Sequence, residues 1–298
     1  MCGTRTRRSV WFNMKLSCAT LGFANDAPLE VSLGRISKAG FKAVDIFAWR
    51  PHLQPTDYTK EMRKKVKEMA AELGMKVSGL SVQGGRFGMQ FNFCYPWKVA
   101  RDDVVSYYKD CIEVASDLGA EAINVLTGHV LYGTTPEQAW QWTKECILEL
   151  VELAEERDVT LGLHPHSLWE SNPGGLVTTD DVLRMIREVG SKKVRFMLDL
   201  GSQHCTEPNL SDVVRKGIKY LCYVHVGDND GLHGPEHRPP GQGTINWETF
   251  LKTLKDEGYT GYLALQPFSN APIDVDAWIS ESKAYMEQVM TKLAIPVQ

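Results

Sequence analysis

Short runs of apolar and β-branched residues recur along the chain, and longer segments with apolar residues at helical spacing separate them. Ile112, Ala115 and Leu118, for example, mark one face of a helix. Most runs follow a glycine that can end the preceding helix in the left-handed conformation, as at Gly119. The pattern predicts eight strands, at Lys15–Thr20, Ala43–Phe47, Lys76–Ser81, Ala122–Leu126, Thr160–His164, Val194–Asp199, Tyr220–Val226 and Gly261–Gln266.

Eight alternating strands and helices predict an α/β protein in which crossover helices join parallel strands. Eight such units close into a (β/α)8 TIM barrel. An open doubly wound sheet is the alternative, but no glycine-rich phosphate fingerprint follows the first strand. Met14 opens the first strand-like run. We therefore expect an N-terminal extension at residues 1–13 and a single barrel domain at 14–298.

Composition and charge narrow the classes of partner. Among 298 residues, 43% are hydrophobic and 23% charged, with a net charge of −4 and no basic stripe, which argues against nucleic acid. No apolar run approaches the roughly 20 residues of a membrane helix, and no long apolar stretch follows the N-terminal arginines. The seven cysteines lack CxxC spacing. We expect a cytoplasmic protein with reduced thiols.

Polar residues end each of the last four predicted strands. Functional residues of a parallel barrel cluster at this end. A lone histidine is usually structural, and a strand-end aspartate often caps the next helix. Four such groups meeting unpaired, however, would cost about 1–3 kcal/mol each. A divalent ion held by imidazole, carboxylate and amide oxygen would satisfy them together. We therefore predict a metal site with the ligands His164, Asp199, His225 and Gln266.

Several motifs carry a family resemblance. They are AWRPH (Ala48–His52), ESN (Glu170–Asn172), HVGDNDG (His225–Gly231), PGQG (Pro240–Gly243) followed by INW, and GYTGYLALQ (Gly258–Gln266). Together they resemble the sugar phosphate isomerase/epimerase superfamily, the xylose-isomerase-like TIM barrels, over nearly the whole chain from Met14. The resemblance is nearest to ketose 3-epimerases and fructoselysine 3-epimerase. It implies a divalent ion, often manganese, held by Glu, Asp, His and Glu from strands five to eight.

The metal ligands of that family match this chain only in part. Asp199 and His225 stand where the family has Asp and His, but His164 and Gln266 replace the two glutamates. The resulting set supplies one formal negative charge where the family's supplies three. Magnesium, which prefers oxygen ligands, therefore becomes less suitable than manganese, iron, cobalt or zinc.

The family's substrate-binding residues also match in part. Its substrate-binding glutamate, six residues after the strand-five metal ligand, is present as Glu170. Its histidine three residues after the aspartate is replaced by Ser202, and its strand-seven arginine matches Arg238 only loosely. Aromatic residues near strand ends could stack on a sugar, although rim packing explains them as well. We expect substrate contacts at Trp49, Trp169, Glu170, His204 and Arg238. The segment Gly85–Trp97 could be a lid or an oligomer contact.

In the family the two glutamates also move protons on opposite faces of the sugar. Gln266 cannot accept a proton, so we predict His164 as the base, or His166 if His164 binds the ion; an ordinary histidine pKa of about 6.5 suits this role. One base disfavours symmetrical epimerisation. It permits isomerisation in which one histidine carries the proton between neighbouring carbons, or abstraction of a proton followed by elimination.

Four functions remain open at this stage. The first is a metal-dependent isomerase or epimerase of keto sugars. The second is a metal-dependent lyase that acts on an oxidised sugar or glycoside, such as a dehydratase or a C- or O-deglycosidase. The third is a non-catalytic barrel subunit of a complex. An endonuclease-IV-like enzyme is disfavoured because it needs three metals and a basic groove. We expect a non-phosphorylated sugar as substrate and a homodimer or homotetramer, with a hetero-complex as the alternative.

Overall fold

The computed structural model describes residues 13–82, 92–167, 175–234, 236–268 and 273–296. Eight parallel strands close into a barrel in chain order, which confirms the predicted TIM barrel. Strands two to six begin and end where predicted, the first and seventh are one residue shorter at one end, and the eighth is one residue shorter at each end. The proposed extension, except for Asn13, lies outside the described residues. The strands are β1 Lys15–Ala19, β2 Ala43–Phe47, β3 Lys76–Ser81, β4 Ala122–Leu126, β5 Thr160–His164, β6 Val194–Asp199, β7 Leu221–Val226 and β8 Tyr262–Leu265.

Helices surround the barrel, and their apolar faces pack on it. Ile112, Ala115 and Leu118 are buried on α3, as the spacing predicted. Gly119 ends this helix with a φ of 77°, in the left-handed region that glycine tolerates best. The described helices are α1 Leu29–Lys38, α2 Lys60–Glu72, α3 Lys98–Leu118, α4 Pro136–Glu156, α5 Thr179–Val189, α6 Leu200–Thr206, α7 Leu210–Gly217, α8 Trp247–Asp256 and α9 Val275–Lys292, with 3-10 turns at Thr20–Phe23 and Pro55–Asp57.

The interior of the barrel contains a column of hydrogen-bonded polar groups. Ser17 Oγ lies 2.7 Å from Ser78 Oγ, and Ser78 Oγ lies 2.8 Å from the hydroxyl of Tyr223. Gly79 leaves room beside this column, because a Cβ there would lie 3.0 Å from both Asp45 Oδ2 and the Tyr223 hydroxyl. The column leads to Asp45, and thus towards the carboxyl ends of the strands.

Composition predicts that the chain has no membrane-spanning helix and that its cysteines are reduced. None of the described helices is long and apolar enough to cross a membrane. No disulfide joins any two of the six described cysteines.

Candidate metal centre

Three of the four predicted metal ligands meet at the carboxyl ends of β5, β6 and β7. The donor atoms of His164, Asp199 and His225 all lie within 4.8 Å of one another, and all three residues are buried. Asp199 Oδ2 is 3.7 Å from His164 Nε2 and 3.7 Å from His225 Nδ1. The register of β6 and β7 pairs Asp199 with His225, which brings the two side chains together.

The donor atoms fit a divalent ion. His164 Nε2, His225 Nδ1 and Gln266 Oε1 are buried and have no hydrogen-bond partner among the described residues. Ligand atoms at about 2.1 Å from a tetrahedral ion lie roughly 3.4 Å apart, close to the 3.7 Å separations between Asp199 and the two imidazoles. Imidazole and carboxylate together suit manganese, iron, cobalt or zinc. An ion would therefore supply the partners that these atoms lack.

Residues behind the site orient the imidazoles. His225 Nε2 lies 3.1 Å from Asp45 Oδ2, and Asp45 Oδ1 accepts a 2.6 Å hydrogen bond from Ser81 Oγ. His164 Nδ1 lies 3.5 Å from Asn124 Nδ2. Each outer ring nitrogen thus faces a supporting side chain while the inner nitrogen faces Asp199, an arrangement typical of metal-bound histidines.

The two imidazoles have opposite pKa shifts. Burial lowers the pKa of His164 to about 3, although Asp199 opposes the shift. Burial also acts to lower the pKa of His225, but the carboxylates of Asp199 and Asp45, which face the two ring nitrogens, raise it to about 9. Burial acts to raise the pKa of Asp199, but His237, His225 and His164 together hold it well below its usual range. Without an ion, the site therefore contains a neutral His164, an ionised Asp199 and a protonated His225.

The sequence model for xylose isomerase-like TIM barrels matches residues 33–289. The chain belongs to this family. It is 26% identical over 280 residues to fructoselysine 3-epimerase of Shigella flexneri, covering 94% of this chain and 96% of that protein. It is 32% identical over 120 residues to D-psicose 3-epimerase of Enterocloster bolteae, covering 40% and 37%.

Solved structures confirm the fold of this xylose isomerase-like barrel. The 3-keto-D-glucoside 4-epimerase of E. coli, in its apo form, superposes with a TM-score of 0.77 at 19% identity, covering 93% of this chain and 100% of the other. A D-tagatose 3-epimerase-like protein gives 0.76 at 23% identity, covering 94% and 100%.

The two candidate bases lie side by side in this xylose isomerase-like barrel. The ring of His166 stacks on that of His164, with centroids 5.7 Å apart and planes inclined by 11°. The backbone N–H of His166 donates to Leu176 O at 2.9 Å, which anchors the segment after β5. His166 is partly exposed, whereas His164 is buried. Of the two rings, that of His166 is therefore the more exposed.

The other predicted site residues lie in different surroundings. Trp169 and Glu170 are outside the described residues. His204 is buried, with Nδ1 2.7 Å from Asn229 Oδ1. Trp49 makes an edge-to-face contact with Tyr107, with centroids 5.6 Å apart. Their roles in substrate binding stay predictions.

Arg238 forms ion pairs with two acidic residues of its own loop. Its Nη2 lies 2.6 Å from Glu236 Oε2 and 3.2 Å from Asp230 Oδ2. A substrate group that uses this guanidinium must compete with both carboxylates, so the role of Arg238 in binding also stays a prediction.

The sequence analysis missed two residues next to the predicted ligands. One is Asp45, a lone carboxylate in the otherwise apolar strand AVDIF, which is the signal that could have identified it. The other is His237, whose Nε2 lies 3.6 Å from Asp199 Oδ1. His237 directly precedes Arg238, which the family resemblance had indicated as a substrate contact. The loop that carries both is rich in Gly and Pro, and its conformation cannot be predicted from local sequence.

Proposed function

We propose that this protein is a divalent-metal-dependent enzyme that removes a proton next to the carbonyl of a keto sugar, and that it acts as a sugar isomerase or epimerase. Membership of the family and the named sugar epimerases among its relatives support the substrate class. The observation that carries the metal dependence is the meeting of His164, Asp199 and His225 donor atoms within 4.8 Å. Two of these buried atoms, His164 Nε2 and His225 Nδ1, have no hydrogen-bond partner within the part of the chain that the structure describes.

In this proposal His164, Asp199 and His225 hold the ion, together with Gln266. A bound ion supplies positive charge beside the substrate oxygen, where negative charge develops as the proton leaves. Gln266 follows β8, is buried, and donates its backbone N–H to Val226 O at 2.9 Å. Because two ligands are imidazoles and one is an amide, manganese, iron, cobalt and zinc suit the site better than magnesium.

We assign proton abstraction to His166. His164 Nε2 belongs to the ligand group, and burial keeps the pKa of His164 at about 3, too low for a base near neutral pH. His166 stacks on it and is partly exposed. Its position beside the ion lets the same histidine take a proton from one carbon and return it to a neighbour.

A lyase is the second candidate, and one observation favours it. The family's two glutamates, which act on opposite faces of the sugar, are replaced by His164 and Gln266. A pair of carboxylates, one on each face, is therefore missing from this set. A single base suits removal of one proton followed by loss of a group from the next carbon. A screen that identifies products distinguishes the two, because elimination changes the composition of the sugar whereas isomerisation preserves it. A non-catalytic barrel subunit is the third candidate.

The first experiment measures metal content and proton exchange together. We expect about one divalent ion per chain in the wild-type protein and little in Asp199→Ala or His225→Ala. His166→Ala should keep the ion but lose exchange of a carbon-bound proton with heavy water across a panel of keto sugars. His233→Ala is the matched control, because the side chain of His233 is 76% exposed.

Each outcome contradicts a different part of the proposal. Retention of the ion by both ligand variants would overturn the metal centre. Exchange that persists at the wild-type rate in His166→Ala would exclude His166 as the base. A metal-loaded protein that exchanges no proton from any keto sugar would favour the non-catalytic subunit.

We also expect the substrate to be non-phosphorylated and to contact Trp49, Trp169, Glu170, His204 and Arg238. A homodimer or homotetramer is the expected assembly, which light scattering on the purified protein would test; a hetero-complex is the alternative.

A further inference from the structure

The backbone around His237 is fixed on both sides. Asp228 and Arg238 exchange two backbone hydrogen bonds, each 2.8 Å long. His237 itself pairs with Phe268 in an isolated antiparallel bridge. The indole N–H of Trp278 donates to the carbonyl oxygen of His237 at 2.9 Å. The loop after β7 is therefore ordered by long-range contacts where it carries this histidine.

Two glycines fix the position of the His237 ring. A Cβ on Gly201, in α6, would lie 2.3 Å from His237 Nε2. A Cβ on Gly227, directly after β7, would lie 2.7 Å from His237 Nδ1. The edge-to-face ring of Phe268 is a third neighbour, with centroids 5.7 Å apart. The ring thus occupies a slot that any larger residue at either glycine would obstruct.

Hydrogen bonding decides which nitrogen of His237 faces the metal centre. Nδ1 lies 3.1 Å from the backbone oxygen of Gln266. Because a carbonyl oxygen only accepts hydrogen bonds, Nδ1 carries the hydrogen. Nε2 then faces Asp199 Oδ1 at 3.6 Å. His225 is arranged in the same way, with its outer nitrogen on Asp45 and its inner nitrogen 3.7 Å from Asp199 Oδ2.

We propose that His237 Nε2 is a further protein ligand of the divalent ion bound at Asp199. The inference rests on the metal centre of the proposed function and extends its ligand set to three imidazoles, one carboxylate and the side-chain amide of Gln266. His237 is not among the residues whose donor atoms all lie within 4.8 Å of one another. Its Nε2 faces Oδ1 of Asp199, whereas His164 and His225 face Oδ2. All three rings would then hold one ion together with the Asp199 carboxylate.

The proposal predicts which ions the site prefers. Three neutral nitrogen donors, with one carboxylate and one amide oxygen, favour zinc, cobalt or iron(II) over magnesium, which prefers oxygen ligands. The pre-positioned ring also lowers the entropic cost of ordering a ligand when the ion binds.

The test uses the visible spectrum of the cobalt(II)-loaded protein and the zinc affinity measured by chelator competition, so it needs no substrate. His237→Ala should change the cobalt absorption bands and weaken zinc binding by at least about tenfold, in line with losses at metal-site residues. His233→Ala, a solvent-exposed histidine of the same loop, should match the wild-type protein in both measurements.

Gly201→Ala provides a second variant that keeps the histidine. Gly201 lies outside the positive-φ residues, so alanine suits its backbone, but the new Cβ would displace the His237 ring. We expect Gly201→Ala to change the cobalt spectrum in the direction of His237→Ala. The double variant, Gly201→Ala with His237→Ala, should bind zinc no more weakly than His237→Ala alone. The ring that the alanine at position 201 displaces is absent from the double variant. Circular dichroism and thermal unfolding identify variants that fail to fold.

The outcomes separate this inference from the proposed function. A wild-type protein that binds no divalent ion would overturn both. If the wild-type protein binds one ion and His237→Ala or Gly201→Ala folds with unchanged spectrum and affinity, the role of His237 is wrong and the proposed function stands. Additive losses in the double variant would show that Gly201→Ala acts on the site by another route, and would remove it as support for His237.

Discussion

At the scale of single residues, Asp45 controls both the orientation and the proton content of His225. Its Oδ2 accepts from His225 Nε2 at 3.1 Å, and Ser81 holds its other oxygen. Burial acts to lower the pKa of His225, but Asp199 and Asp45 raise it to about 9. Below pH 9 a proton therefore occupies the nitrogen that the ion needs, and the ion has to displace it.

This competition predicts a pH dependence of metal affinity. Apparent affinity should rise about tenfold per pH unit from pH 7 and level off near pH 9, as one proton is released for each ion. His164 adds nothing in this range because its pKa is about 3. Competition with a chromophoric chelator at several pH values measures the slope. Equal affinities at pH 7 and pH 9 would contradict the role of His225.

Asp45→Asn tests the supporting residue. Loss of the carboxylate charge should lower the pKa of His225, so that affinity levels off at a lower pH, and should weaken binding above that point by about 10–100-fold. Asp57→Asn makes the same change in charge on an exposed ion pair with Arg50 in the same βα unit, and it should leave the pH profile unchanged.

The residues that sequence could predict are those whose position follows from strand ends. Asp199 and His225 close β6 and β7, so parallel register alone brings them together. His237 reaches the same carboxylate from a loop, and its position depends on Phe268 and Trp278, which are distant in sequence. No local pattern encodes such contacts, which is why periodicity could not identify it.

At the scale of elements, the loop between β7 and α8 is built around Asp228. Its Oδ1 accepts from the backbone N–H groups of Asn229 and Ile245, at 2.9 and 3.2 Å. Its Oδ2 accepts from the N–H of Gly241 and the indole of Trp247, both at 2.8 Å. One buried carboxylate thus satisfies four donors and holds the loop that carries His237. The strand periodicity predicted β7 itself, but not this organisation of the segment that follows.

Replacement of Asp228 should therefore destabilise the loop and the fold. Asp228→Asn replaces one accepting oxygen with an amide that faces donors, and unsatisfied buried groups cost about 1–3 kcal/mol each. We expect the free energy of unfolding of the metal-free protein to fall by about 2–5 kcal/mol in urea titrations. Asp230→Asn, at the tip of the same loop, should cost less because its partners, Leu232 N and His233 N, are exposed. Equal losses would contradict the central role of Asp228.

At the scale of the whole molecule, an ion at this site connects strands that the barrel already holds side by side. Its ligands come from β5, β6 and β7, and the residues behind them from β2 and β4. An ion that binds only the folded chain raises its stability by mass action, by about 2.7 kcal/mol at a concentration one hundred times the dissociation constant.

For a domain of this size, that free energy corresponds to a rise in melting temperature of roughly 4–5 °C. We expect chelation to lower the melting temperature of the wild-type protein by this amount and re-addition of zinc or cobalt to restore it. In His225→Ala the same treatments should leave the melting temperature unchanged, because one of the three clustered ligands, His164, Asp199 and His225, is then missing. A metal-dependent shift of equal size in both proteins would place the bound ion elsewhere on the chain.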